Sequence, residues 1–147
     1  MYGESMELEG KVWKEDRWWL IEVPCLNVVT QGKTKKEAFF MIEDAVLELM
    51  KAYFAKMDKK FKISIHQYRG NYFGLSSNDS NLLLSFLLIR QREANGLSVR
   101  EVACRLSSKN PNSYAQYEKG NINFSITQYE KLMRAINPKN SRILRVV

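Results

Sequence analysis

Between Ser98 and Ile136 the sequence sets amides, a hydroxyl and cations at the spacing of short helices. Asn110, Asn112 and Ser113 fall at the opening of one helical run, and Gln116 follows Asn112 by four residues on the same face. Asn and Gln side chains can each pair with adenine through two hydrogen bonds in the major groove. Arg100, Lys109 and Lys119 stand at the ends of the runs, where contacts to phosphate are expected. The same residue types also cap helices, form turns and make up a solvated face. At Asn110 above all, both roles stay open.

Other chemistry has less support. Glu7, Glu9, Asp16 and Glu22 supply carboxylates of the kind a divalent-metal nuclease needs, and Glu7 and Glu9 share a face if their run is a strand. No acidic residue further along is aimed at them. His66 is the only histidine and has no Ser, Cys or second His to complete acid-base or nucleophilic machinery, so a surface or hydrogen-bonded structural role is expected. Gly70, Gly74, Gly96 and Gly120 make no phosphate-cradling loop. Cys25 and Cys104, one in each half, suggest neither a disulfide framework nor a zinc site, and a reducing, cytoplasmic setting follows as the default. Cys104, beside Ala103, reads as a small structural residue. The residues therefore point to no enzyme, cofactor or metal.

Charge is divided unevenly along the chain of 147 residues, whose net formal charge is +7. Residues 1–78 hold 12 Lys/Arg against 11 Asp/Glu, while residues 79–147 hold 11 against 5. A basic half is drawn to a polyanion by a salt-dependent attraction, which by itself does not separate DNA from RNA or a membrane surface. The apolar fraction of 45% fits a folded chain. No apolar run approaches the roughly 18 residues of a membrane span, and the first residues lack a secretory cleavage pattern.

The elements that must position these residues are legible from pattern. Glu7 to Lys14 and Trp18 to Val23 read as two strands of an antiparallel hairpin turning at Lys14–Arg17. Pro24 ends the second, and Leu26 to Gln31 reads as a third strand, closed by Gly32. Thr34, with Glu37 three residues on, forms a capping box for a helix ending near Lys56. Its apolar stripe is Ala38, Ile42, Ala45, Val46, Leu49, Met50 and Tyr53, broadened by Phe39 and Phe40. Phe61 to Tyr68 alternates as a half-buried strand, and Asn71 to Leu75 reads as a fifth strand or a linker edge.

The polar run Ser76 to Asn81 marks a boundary dividing residues 1–77 from 78–147. Asp79 or Asn81 then caps a Leu- and Phe-rich helix, dense enough to pack deeply or in a dimer, that Gly96 stops near Asn95. Ser98 and Glu101 form a second capping box; Val102, Ala103 and Leu106 face inward. Pro111 suits the first turn of a short helix carrying Tyr114 and Tyr117 inward, which Gly120 ends. Ser125 caps a last helix with the stripe Ile126, Tyr129, Leu132, Met133 and Ile136; the C-terminal residues read as either a short strand or a tail. The fold class is α+β, a small three- to five-stranded sheet with one long helix, followed by an all-α domain with helix-turn-helix rhythm.

Leu97-Ser98, Ala103, Tyr117-Glu118-Lys119-Gly120 and Ser125 resemble the repressor-like helix-turn-helix family of Cro/C1 (Xre) type. Val99 stands where that family often has Gln, and Ser107-Ser108-Lys109 replaces its compact Gly-centred turn. Trp18 to Pro24, Thr30-Gln31-Gly32-Lys33-Thr34 and Glu37-Ala38, with the helix to Leu49, are similar in order and spacing to the HicB antitoxin family, with a shorter Pro24-Cys25-Leu26-Asn27 segment. The resemblance implies a partial ribonuclease-H-like first domain without a working catalytic site. It implies an antitoxin that binds and blocks a small HicA-like ribonuclease toxin and represses its own operon on double-stranded operator DNA, as a homodimer or tetramer. Trp13, Trp18, Trp19 and Phe40 are the toxin-contact candidates, chosen for aromatic excess, with Trp18 and Trp19 on opposite faces of any strand. A stand-alone regulator whose first domain senses a ligand or oligomerises is the second reading, and a metal-dependent nuclease the third.

Overall fold

A computed structural model describes residues 6–108, 110–139 and 144–146. The chain divides between Ser80 and Asn81 into two compact units, and the strand Leu144–Val146 belongs with the first. An α+β unit is followed by an all-α unit of four helices.

The first unit runs β1 (Met6–Glu15), β2 (Trp18–Val23), β3 (Val28–Gly32), α1 (Lys35–Tyr53), β4 (Ile63–Gln67), β5 (Tyr72–Ser77) and, from the far end of the chain, β6 (Leu144–Val146). The sheet order is β3-β2-β1-β5-β4, with β6 paired to the start of β1 and every pairing antiparallel. The β1–β2 turn is tighter than expected. Glu15 already pairs with Trp18, and Asp16 takes the left-handed conformation (φ 57°) that a short polar side chain tolerates. The third strand starts two residues later than expected. Pro24 opens a single 3-10 turn, Pro24–Leu26, because its fixed φ suits a first helical position, and left-handed Asn27 closes it.

Thr34 caps α1 by accepting from the Glu37 N–H at 3.0 Å. The helix stops at Tyr53 rather than near Lys56. Its buried stripe is narrower than the sequence suggests: Ala38, Phe39, Ile42, Val46 and Met50 are covered, while Phe40 is 68% exposed and Tyr53 also faces solvent. From the β3 edge α1 leads to β4 at the opposite edge, and β5 fills the gap beside β1. The stretch read as a fifth strand or a linker edge is thus an interior strand, with Phe73 and Leu75 buried. The core joins Leu8, Val12, Ile21, Val23, Ile63 and Leu75 of the sheet with Ile42, Val46 and Met50 of the helix.

The second unit contains α2 (Ser80–Ala94), α3 (Val99–Arg105), α4 (Pro111–Glu118) and α5 (Ile126–Ile136). Every residue from Leu83 to Ile89 is buried within the single chain. Gly96 ends the α2 segment at φ +67°, and the Ser98/Glu101 box is closed in both directions. Asn81 lies inside the first turn of α2 instead of capping it. Its side chain accepts from Phe124 N–H (2.9 Å) and donates to the Ile122 carbonyl (3.0 Å), holding the loop before α5. Ser107 supplies the left-handed turn (φ 59°) after α3 where a glycine would be cheaper. Ser125 caps α5, whose Tyr129, Leu132, Met133 and Ile136 are buried; Ile126, counted into that stripe from spacing, lies in the first turn and is 58% exposed. Cys104 is exposed rather than part of the packing.

Gly10 leaves room for the Phe73 ring, which lies where its Cβ would be and meets Phe39 edge-on at 5.4 Å. Gly10→Ala should therefore cost about 1–3 kcal/mol from overpacking, read as a lowered denaturant midpoint. An unchanged midpoint would show that the Phe39–Phe73 pair yields freely. Burial pushes the Cys25 thiol up to about 12. A maleimide at neutral pH should label Cys104 fast and Cys25 only on unfolding, and rapid labelling of both would contradict the placement of Cys25.

Candidate nucleic-acid and protein interfaces

The placement of α4 rests on an ion pair. Arg92 on α2 donates through Nε to Glu118 Oε2 (2.6 Å) and through a terminal nitrogen to Glu118 Oε1 (3.0 Å). Its other terminal nitrogen donates to the Leu97 carbonyl at 2.9 Å. One guanidinium thus joins the last turn of α2, the entry to α3 and the last turn of α4. Both side chains are largely covered, at 16% and 9% exposure. Such a fork is strong because two parallel charged hydrogen bonds fix orientation as well as distance. The hydrogen bond to Glu118 outweighs burial and holds the Arg92 guanidinium above its ordinary pKa. Ser85 Oγ adds a 2.7 Å bond to the Tyr117 carbonyl, and Arg105 donates to Ala135 O at 3.0 Å, linking the ends of α3 and α5.

With α4 held, its first turn carries the expected polar group. Asn112 and Ser113 are exposed there, next to the exposed cap Asn110. The Asn110 side chain accepts from Asn112 N–H at 2.9 Å, so its oxygen already serves as the helix cap. Gln116 is half-buried one turn on, and its Oε1 accepts from Asn121 Nδ2 at 2.7 Å. Arg100 and Lys119 are exposed at the start of α3 and the end of α4; Lys109 lies outside the described residues. Tyr114 is buried as expected, whereas Tyr117 is only half-buried and packs its ring on Phe124 at 5.1 Å. The exposed cations favour phosphate, and the exposed Asn112 amide and Ser113 hydroxyl suit base edges. Sequence reasoning missed Asn121 and the role of Arg92. The polar end Arg90-Gln91-Arg92-Glu93 of an otherwise apolar helix was the available sign.

Strand registers sort the first unit into two faces. Leu8, Gly10, Val12, Trp19, Ile21, Phe73 and Leu75 share the α1 side. The other face carries Glu7, Glu9, Lys11, Trp13 and Glu15 from β1, with Trp18, Leu20 and Glu22 from β2, and Val29, His66 and Tyr72 from β3 to β5. Trp13 and Trp18 are therefore together, while Trp19 lies on the α1 side, with Lys35 Nζ 5.8 Å from its ring centre, and Phe40 projects from α1 itself. Lys11, Trp13, Glu22, Asn71 and Tyr72 line a groove of about 380 Å³, with the Lys11 ammonium 5.9 Å from the Tyr72 ring centre. Tyr68 donates to Glu7 Oε1 at 2.5 Å and stacks on His66 at 4.5 Å, which gives the lone histidine a packing role. The Glu7 carboxylate occupies the space over Gly74. Glu7 and Glu9 do share this face, Asp16 sits in the turn, and Glu22 pairs across from Lys11. No group of three His, Cys, Asp or Glu among the described residues converges as metal ligands. No helix among them is long and apolar enough to cross a membrane.

Removing one partner of the Arg92–Glu118 fork leaves a covered charge uncompensated. Arg92→Ala or Glu118→Ala should each cost about 3–5 kcal/mol in equilibrium unfolding. Replacing both by Met and Leu should restore most of that loss. A single-substitution cost under about 1 kcal/mol would mean that the fork does not hold α4.

A scan against protein-family models matches none of them, and a search of curated proteins finds no match.

Proposed function

We propose that this chain is a cytoplasmic antitoxin and autorepressor of HicB kind. In this reading the sheet unit binds and blocks a small basic, HicA-like ribonuclease, and the helical unit binds operator DNA as a homodimer or tetramer. The observation that carries it is the opposed chemistry of the two units. Among the described side chains, the outer sheet face presents the carboxylates of Glu9, Glu15 and Glu22 and the rings of Trp13, Trp18 and Tyr72 around Lys11, while Glu7 is buried beneath Tyr68. Residues 79–147 are strongly basic, with Arg100, Lys119 and the polar first turn of α4 exposed. An acidic, aromatic surface suits a partner whose own surface is basic because it grips RNA, and aromatic residues are the usual anchors of protein interfaces. The basic unit suits a duplex, with α4 in the major groove. Residue resemblance to the two families, in this order on one chain, supports the same pairing.

A cavity of about 480 Å³ at the end of α1, lined by Leu47, Phe54, Met57 and Phe61 beside Lys51 and Lys59, favours the ligand-sensing regulator as a second reading. The two readings part in one experiment. The antitoxin reading expects a small basic protein to be encoded beside this chain. Co-expression with it, followed by affinity capture and a ribonuclease assay, should yield a complex in which cleavage is suppressed. Trp18→Ala with Glu22→Lys should weaken capture at least tenfold and release the ribonuclease, with DNA binding unchanged. Neither capture nor inhibition by the native chain would overturn the antitoxin reading. On the DNA side, Asn112→Ala should cost about 1–3 kcal/mol on a duplex selected by the chain and much less on random duplex. Equal losses on both would remove Asn112 from base reading.

A further inference from the structure

Gly120, at φ +80°, turns the chain back after α4 so that Asn121 meets the residue five positions before it. Asn121 N–H donates to the Gln116 carbonyl at 3.1 Å, and Asn121 Nδ2 donates to Gln116 Oε1 at 2.7 Å. The first bond fixes the Asn121 backbone, so the second is made by a side chain already anchored at its base. An amide is asymmetric, with an oxygen that only accepts and a nitrogen that only donates. With Oε1 turned toward Asn121 and one of its two lone pairs already used, the end of Gln116 that meets no partner among the described residues is its Nε2.

We propose that Asn121 is the positioning residue that holds the Gln116 amide with its NH₂ available to DNA, so that α4 selects bases carrying major-groove acceptors. This inference rests on the operator-binding reading above. In the major groove guanine offers N7 and O6 and thymine offers O4, whereas cytosine offers only its N4 donor. Adenine sets an N7 acceptor beside an N6 donor, and a Gln with both ends available pairs with it doubly. The Asn121 bond competes for the oxygen that adenine N6 would use. Selection at the contacted position therefore turns toward guanine or thymine and away from cytosine.

The test is selection of bound duplexes from a randomised library by the full-length chain, with the position that Gln116 reads identified as the one whose preference vanishes in Gln116→Ala. The native chain should deplete cytosine there roughly five- to tenfold, the worth of about one hydrogen bond. Asn121→Asp exchanges the donor for an acceptor, so the Gln116 NH₂ turns to the carboxylate and its oxygen faces the base. The selected base should then move to cytosine or adenine. Asn121→Ser, which keeps a short donor, should retain the native base, and Asn121→Ala should flatten the preference. A structural role alone would lower affinity on all sequences without moving the base. A native motif that Asn121→Asp leaves unmoved overturns the assignment of Asn121 while leaving the operator reading intact. Failure of the native chain to select any motif overturns the operator reading itself and this inference with it.

Discussion

The covered fork between Arg92 and Glu118 is the interaction on which the helical unit depends. Helices as short as α3 and α4, seven and eight residues, are not stable by propensity and hold their shape only through what they pack against. Arg92 meets that need at three points, the end of α2, the Leu97 carbonyl and the end of α4. The pair is directional, so it fixes which side of α4 turns inward with Tyr114 and which side leaves Asn112 and Ser113 in solvent. Apolar burial alone would permit small rotations of α4, which the proposed base reading would not tolerate.

The sheet unit solves a different problem with one strand. β1 pairs with β2, β5 and β6, so its alternation sets both faces of the sheet. Leu8, Gly10 and Val12 turn toward the α1 side, and the intervening Glu9, Lys11 and Trp13 turn away. A shift of register by one residue would exchange the two sets. The close approach of Phe73 over Gly10 and of Glu7 over Gly74 makes such a shift costly. The acidic and aromatic character of the outer face therefore follows from the same pairing that builds the core.

Local signals were legible in the sequence and long-range ones were not. Thr34, Ser98 and Ser125 announce three helices because a cap acts within one turn, and each side chain accepts the amide three residues on. Only Ser98 with Glu101 completes the reciprocal box that the spacing also predicts for Thr34 and Glu37. The hairpin follows from a pattern equally short in range, whereas a division that keeps residues 78–147 together misses the return of Leu144–Val146 to the first unit. The place of β5 was hidden, since Tyr72–Ser77 is short, contains a glycine and owes its existence to pairing with β1 more than sixty residues away. Pairing of β6 with β1 was hidden for the same reason. At the candidate DNA site, spacing identified the polar turn of α4. It could not identify the fork, which spans 26 residues, nor the use of Asn110 as a cap and Asn121 as a partner of Gln116. Ile126 shows the limit of periodicity: its angle places it on the stripe, but at the first turn there is nothing for it to pack against.

Two surfaces for two different partners is the central claim, and amide hydrogen exchange on the full chain measures it most directly. The exchange map would be compared for the chain alone, with a duplex it selects, and with the small basic partner proposed for the sheet unit. Slowed exchange confined to α3, α4 and Asn121 with DNA, and to β1, β2 and β5 with the protein partner, is the expected result. A single shared footprint, or protection of the sheet by DNA and of α4 by the protein, would contradict it.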